Sequence, residues 1–354
     1  MCPNVAKHRN LQVISYISAF TARKHPDDDA DTDPSNSVDR IPGREELSLG
    51  VYLLRRLVQA VITVFVVVSL AFALGRLTGS PAATLLPETA TEADIAALDA
   101  KLGFDKPPLA QYLDYLRGVF AGDFGDSYRQ QGTSSMAIVG ERLPASLQLG
   151  TAGFVLGILL AFLAVLTVHL SGIRSLRGVL LGLGAARLAV PDFLFGLLLV
   201  LLFSVTLGWL PSLASANPLS IVMPAITIAT AQFVVYARLL DNSLTTESTQ
   251  DYVRTAYARG ERRSTVVLRD VLPNALLPVL TVSGINFGTL LGGLVIVESV
   301  FAWPGLGQLM LTSVFSRDFP VVQSGLVVIA TIFVIVNLAV DILYGFVDPR
   351  ARVR

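Results

Sequence analysis

Apolar stretches of about twenty residues, parted by short connections rich in arginine or in Gly, Pro and Ser, run along the chain from Leu57 to Tyr344. A helix needs about 20 mostly apolar residues to cross a bilayer. Six stretches reach that length, at about 57–75, 146–170, 178–208, 219–240, 274–297 and 321–344. The third is interrupted by Arg187, Pro191 and Asp192, and the missing amide hydrogen of proline predicts a kink at Pro191.

Between the first two spans, residues 76–145 read as a small globular cap. TEADIAALDAKLG predicts a short helix with Thr91 as its cap and Gly103 as its stop. PPLAQYLDYLRGVF predicts a second helix, whose Tyr112, Tyr115, Leu116 and Val119 fall on one face. Residues 1–50 carry no span and form an N-terminal extension. DDDADTD at 27–33 is a disordered linker by composition, a solvated acidic run rather than a calcium site. LQVISYISAF before it is too short to span. Flanked by Lys7, Arg9, Arg23 and Lys24, it suits the inner membrane surface. The plainer reading is a dispensable tail or a start codon placed too early. Nothing here resembles a cleavable signal peptide.

Composition agrees with the spans. The chain has 354 residues, 53% of them hydrophobic and 15% charged, with a mean hydropathy of +0.61. That is the balance of an all-α polytopic membrane protein. A net charge of zero says nothing about nucleic acid, but a basic binding stripe is absent, and none is expected as a partner. Cys2 stands alone and His8, His25 and His169 are scattered, so no metal site, cofactor or catalytic cluster is expected. Basic residues in short loops set orientation. Arg55, Arg56, Arg174, Arg177, the six arginines from Arg238 to Arg269, and Arg350, Arg352 and Arg354 all fall on one side if both termini are cytoplasmic.

The connection between spans four and five, about 241–273, contains DYVRTAYARGERR. Residues 251–259 read as a helix capped by Ser248 or Thr249, with Asp251 in the first turn, where the dipole favours an anion. Arg259 ends it and Gly260 supplies the left-handed stop. Tyr252 with Ala256, and Val253 with Tyr257, stack one turn apart as a modest apolar face. ERRS then opens a second helix, STVVLRDV, before Leu272-Pro273 leads into span five. Inner loops collect arginine in any case, so a surface-lying loop is the plain alternative.

Arg254-Thr255-Ala256, Gly260 and Leu272-Pro273 are spaced as in the cytoplasmic loop of ABC importer permeases, which this stretch resembles; Asp270 departs from the pattern. YVRTA…ARG and NALLPVLT are similar to the peptide and nickel branch of that family. VESVFAWPGLGQLM, RDFPVVQ and the closing N…D..Y…DPR resemble the last third of dipeptide and oligopeptide permeases, and GDFGDSYR, ERLPASLQL and PDFLFGLLLVLLF also match. The resemblance covers about 50–354 and implies the six-helix type I importer permease fold in a bacterial inner membrane. It makes 251–260 (Asp251, Tyr252, Val253, Arg254, Thr255, Ala256, Tyr257, Arg259 and Gly260) the coupling helix seated on an ATPase. Arginines there fix register and Tyr252, Val253 and Tyr257 supply burial. It further implies a second homologous permease, two ATPase subunits and an extracytoplasmic binding protein. That protein meets the 76–145 cap and the rigid turn of Trp303, Pro304, Gly305 and Gly307 at the outer interface. The chain has no GxxxxGK[ST] phosphate loop of its own.

Polar residues inside the spans complete the picture. A charge at mid-membrane costs about 2.5 to 3.5 kcal/mol on insertion scales, so Asp192 either faces the translocation path or pairs with Arg187. Gln232, Asn286 and Asn337 are further path candidates, with Asn337 and Asp341 also suited to tying helices together. The expected function is a permease subunit of an ATP-driven importer for di- and oligopeptides. Nickel chelates, glutathione or opines are alternative cargo, and a self-sufficient channel or secondary transporter is the rival class.

Overall fold

The computed structural model describes residues 49–77, 79–87, 89–215 and 217–347. The expectations for residues 1–48, Cys2, His8 and His25 included, and for the arginines after 347 lie outside the described residues. The helices are α1 (Leu49–Leu77), α2 (Ala82–Leu85), α3 (Glu92–Leu102), α4 (Pro108–Ala121), α5 (Ser135–Ser171), α6 (Arg174–Leu188), α7 (Asp192–Leu199), α8 (Val222–Glu247), α9 (Asp251–Ala258), α10 (Arg263–Thr265), α11 (Leu272–Val300), α12 (Leu306–Phe315) and α13 (Phe319–Val347). No strand occurs among the described residues, only an isolated bridge between Asp126 and Ser134.

Five helices are long and apolar enough to cross a membrane: α1, α5, α8, α11 with the turns before it, and α13. The sixth crossing is the pair α6 and α7, bent by 99°. The kink expected at Pro191 is therefore a break. Proline disfavours the helical region at Val190 and lacks an amide hydrogen of its own. Pro191 is extended (φ −57°, ψ 145°), and Asp192 starts a new helix. The Arg187 guanidinium holds the corner: Nη1 donates to the Val190 carbonyl at 2.9 Å and Nη2 to Asp192 Oδ1 at 2.7 Å. A π-helical turn, Val200–Thr206, carries α7 onward.

Small residues let the spans approach. A Cβ on Gly157 of α5 would lie 2.6 Å from the Ala229 carbonyl of α8, and one on Gly153 would lie 2.6 Å from Ile228. Gly284 and Gly288 of α11 play the same part against Val340 and Phe333 of α13. Without a hydrophobic drive between helices in lipid, such close contact is a main source of association.

The cap folds as its sequence predicts. Thr91 forms a capping box with Asp94, and Gly103 ends α3 in the left-handed region at φ 72°. The bond from Thr91 holds the Asp94 carboxyl below the usual aspartate range. Tyr115, Leu116 and Val119 of α4 pack against Val68, Phe124 and Val327. Tyr112 meets Phe72 and shares a 2.7 Å hydrogen bond with Ser69. Below the cap, α5 starts eleven residues before the expected span and runs helical through Pro144.

Gly157→Ala should push α5 from α8 and lower stability by about 1–3 kcal/mol, the usual cost of overpacking. Gly140→Ala, where a Cβ meets nothing within 4 Å, should not. Thermal unfolding of the detergent-purified protein checks the pair.

Candidate functional site

Residues 251–260 form the expected helix, α9, with different ends and faces. Gln250, extended at φ −70° and ψ 153°, is the N-cap and makes no side-chain capping bond. The expected caps are engaged elsewhere: Ser248 Oγ donates to the Leu244 carbonyl and Thr249 Oγ1 to Thr246. At the other end Gly260 stands at φ 79°. Gly260 N–H donates to Tyr257 O at 2.9 Å and Glu261 N–H to Ala256 O at 3.3 Å, the paired bonds of a Schellman stop.

Val253 and Ala256 are each 1% exposed and belong to the core that Leu244, Val266, Val271 and Ala275 build. Val253 therefore contributes no burial to a partner, a correction to its expected place in the contact. Asp251, Arg254 and Arg259 are exposed at the side chain, and Tyr252 and Tyr257 are 40% and 47% exposed. Thr255 Oγ1 donates back to the Asp251 carbonyl. Burial pushes the Tyr252 phenol above its usual pKa; it stays protonated and donates to Glu247 Oε2 at 2.8 Å, while Asn274 Nδ2 donates to it at 3.2 Å. The expected second helix is not separate. α10 and a π-helical turn, Val266–Val271, run straight into α11.

One more cluster fastens this loop to the bundle. Asp241 of α8 is 1% exposed and receives Arg177 Nε at 3.0 Å and Nη2 at 2.8 Å. His169 Nε2 lies 3.1 Å from its other oxygen. Arg263 Nε, from the docking loop, donates to the His169 carbonyl at 2.7 Å. Sequence reading weighed these arginines only as orientation signals, and Asp241, an acid near the end of α8, went unremarked.

The outer turn is also built on an unremarked acid. Glu298 is 0% exposed. Its carboxylate accepts from Ser146 Oγ at 2.5 Å and from the Gln308 amide at 3.0 Å; Ser146 Oγ in turn accepts from the Leu306 amide at 2.7 Å. A Cβ on Gly305 would meet this carboxylate, and one on Gly307 would lie 2.6 Å from the Val295 Cα. Both glycines are demanded by space, since Gly305 is extended at φ −98°. Trp303 is 8% exposed, with Nε1 donating to the Ala145 carbonyl at 2.9 Å. It is a core residue, not the interfacial anchor expected, because Pro304 and the Glu298 contacts fold the turn inward. A carboxylate inside an apolar run such as VIVESVF is itself a signal, and it points to Glu298.

Of the path candidates, Asp192, Gln232 and Asn286 line one cavity of about 280 Å³ with Thr289 and Gly293. Gln232 Oε1 is buried with no partner among the described residues. Asp192 pairs with Arg187 yet keeps 51% of its side chain exposed. Asn337 is not brought there. Its Nδ2 donates to Phe333 O at 3.0 Å, on the seam where α13 meets Gly288. The Asp341 side chain lies outside what is described.

The chain matches the family described as "Binding-protein-dependent transport system inner membrane component" over residues 153–353, and the N-terminal component of such systems over 49–150. It is 35% identical to the glutathione transport system permease protein GsiC of Salmonella choleraesuis over 302 residues, 85% of this chain and 98% of that one. The GsiC proteins of Pectobacterium atrosepticum and Escherichia coli K12 are 36% and 33% identical, with the same coverage. Among solved structures, an amino acid ABC transporter with histidines is 18% identical, with a TM-score of 0.46 over 60% of this chain and 94% of that one.

Removing a carboxylate that buried amides depend on costs about 1–3 kcal/mol for each group left unmet. Glu298→Ala should therefore lower the thermal midpoint clearly and raise protease cleavage around residues 303–308. Arg254→Gln, exposed on α9, should leave cleavage of that turn unchanged, and limited proteolysis reads both.

Proposed function

Since the chain belongs to the binding-protein-dependent transport system inner membrane component family and is a permease subunit of an ABC importer, we propose that it carries short peptides, with glutathione, a tripeptide, inside that class. Its fold is the all-α type I permease fold of a multi-pass protein of the bacterial inner membrane. The proposed assembly pairs it with a second permease, two ATPases and an extracytoplasmic binding protein, with both its termini cytoplasmic. The relatives named for glutathione support the cargo class, as does the make-up of the groove. The Asp192 carboxylate suits a terminal ammonium, and the amides of Gln232 and Asn286 suit peptide groups.

The observation that carries the coupling role is the division of α9 into two faces. Tyr252, Arg254, Tyr257 and Arg259 point outward, while Val253 and Ala256 are locked into the core around Val266, Val271 and Ala275. A push on the outer face reaches α11 directly, since α9 rests on the turns that continue into it. Arg263 carries the same displacement to the end of α5 through the His169 carbonyl. Aromatic and arginine side chains on one exposed face are the usual anchors of a contact.

Arg254→Glu with Tyr257→Ala changes only exposed groups. It should lower recovery of copurifying ATPase subunits about tenfold or more at unchanged yield of the chain; equal recovery removes the docking role. In uptake assays Asp192→Asn should shift preference from a free peptide toward its N-acetylated form by about tenfold or more, the worth of one charged hydrogen bond of about 1.5 kcal/mol or above. An unchanged ratio removes the ammonium contact.

A further inference from the structure

A further cavity lies apart from the groove at Asp192. It lies in the cap, about 690 Å³, between the outer end of α1, helices α3 and α4, and the start of α13. The two cavities share no residue. Its volume is that of a small-molecule site, for which about 300–1,000 Å³ is usual. Three residues of its lining each carry a buried polar atom with no hydrogen-bond partner among the described residues: Arg76 Nη1, Gln111 Oε1 and Tyr115 Oη.

These atoms are held in place. The Arg76 guanidinium lies 3.7 Å from the centre of the Phe104 ring and 5.4 Å from that of Phe72. Phe72 in turn stacks on Tyr115 at 5.5 Å. Gln111 Nε2 donates to the Phe104 and Lys106 carbonyls at 3.2 and 2.6 Å, which commits its nitrogen and leaves Oε1 as the idle acceptor. Burial raises the Tyr115 phenol well above its usual range and pushes that of Tyr128 up to about 12. Both are neutral donors at physiological pH. The charged groups on the lining are Arg76, Lys101 and Asp126, one net positive charge. The site thus offers a cation and a phenol as donors, one amide oxygen as acceptor, and apolar walls from Leu98, Phe104 and Phe319. Buried polar groups are ordinarily satisfied, and three idle ones around a single space mark a place for a ligand.

We propose that the cap cavity binds a small carboxylate that carries an N–H donor beside it and an apolar group. Arg76 Nη1 and the Tyr115 hydroxyl donate to the carboxylate, and Gln111 Oε1 accepts from the N–H. The C-terminal residue of any peptide has this arrangement, as does any N-acyl amino acid. The site therefore does not require that the importer carry peptides, and it serves as an accessory site on the outer face, apart from the groove.

The test is equilibrium binding to the assembled importer in nanodiscs, without binding protein. The probe is radiolabelled N-acetylglycylphenylalanine, compared with its C-terminal amide. Saturable binding of the acid, weakened about tenfold or more in the amide and in Arg76→Gln, is the expected result. Tyr115→Phe keeps the ring packing and should weaken binding about threefold to tenfold. Arg117→Gln, exposed and outside the cavity lining, should leave it unchanged. Equal affinity for acid and amide, binding untouched by both lining variants, or no binding to the wild type each overturns the site. Peptide uptake by the same complex is measured alongside, so loss of the cargo reading and loss of this site are separate outcomes.

Discussion

A carboxylate taken out of water must be met by donors on every side, and three such carboxylates pin this bundle at its corners. Glu298, Asp241 and Asp318 are 0%, 1% and 4% exposed. Each buried donor left unmet when such an acid is removed costs about 1–3 kcal/mol, so each acid fixes whatever surrounds it. Glu298 draws the outer turn after α11 onto Ser146 of α5. Asp241 gathers α5, α6 and α8 on the other side through His169 and Arg177. Asp318, at the start of α13, accepts from the Ser127 hydroxyl and, at 3.0 Å, from the Tyr128 amide, and so ties the cap to the last span. Apolar packing in lipid sets no register by itself, since one greasy face resembles another. The acids and the close glycine approaches supply it.

Legibility in the sequence followed the range of the interaction. The spans, the α3 capping box and the Gly103 and Gly260 stops depend on residues within a turn or two of one another, and all were readable. The face of α4 was readable too, because helical spacing puts Tyr115, Leu116 and Val119 together whatever they meet. The break at Pro191 was located but underestimated; its angle depends on Arg187 reaching Thr230 of α8 at 3.0 Å as well as the corner itself, a contact 43 positions away in sequence. The inward turn of Val253 was hidden for the same reason. Helical spacing defines two faces of a short helix without saying which one the rest of the chain covers.

The acids show the opposite failure, a signal present and unused. The cost of a charge within an apolar run was applied to Asp192, which proves half exposed and paired with Arg187, while Glu298, in an equally apolar run, and Asp241, in the mixed stretch ARLLDNSL, are the ones wholly enclosed. Cost alone does not say where a charge goes. Donor supply does, and for Glu298 the donors came from Ser146, some 150 positions earlier, and from amides that a turn of two glycines leaves uncovered.

These constraints meet on a single helix. α11 begins at the turns that carry α9 and ends at the turn that Glu298 organises. At about 1.5 Å per residue its 29 residues span roughly 43 Å, enough to join the two faces of a membrane. Its first turns are clamped by Val266, Val271 and Ala275 in the core with Val253, and its last turn by Ser146. Between them it touches α13 through Gly284 and Gly288 and lines the groove through Asn286, Thr289 and Gly293. A displacement carried from α9 along α11 therefore passes the groove on its way to the turn at Glu298. That geometry suits the proposed importer: the element that receives the stroke also borders the path, and the buried carboxylate at its far end makes the outer turn follow.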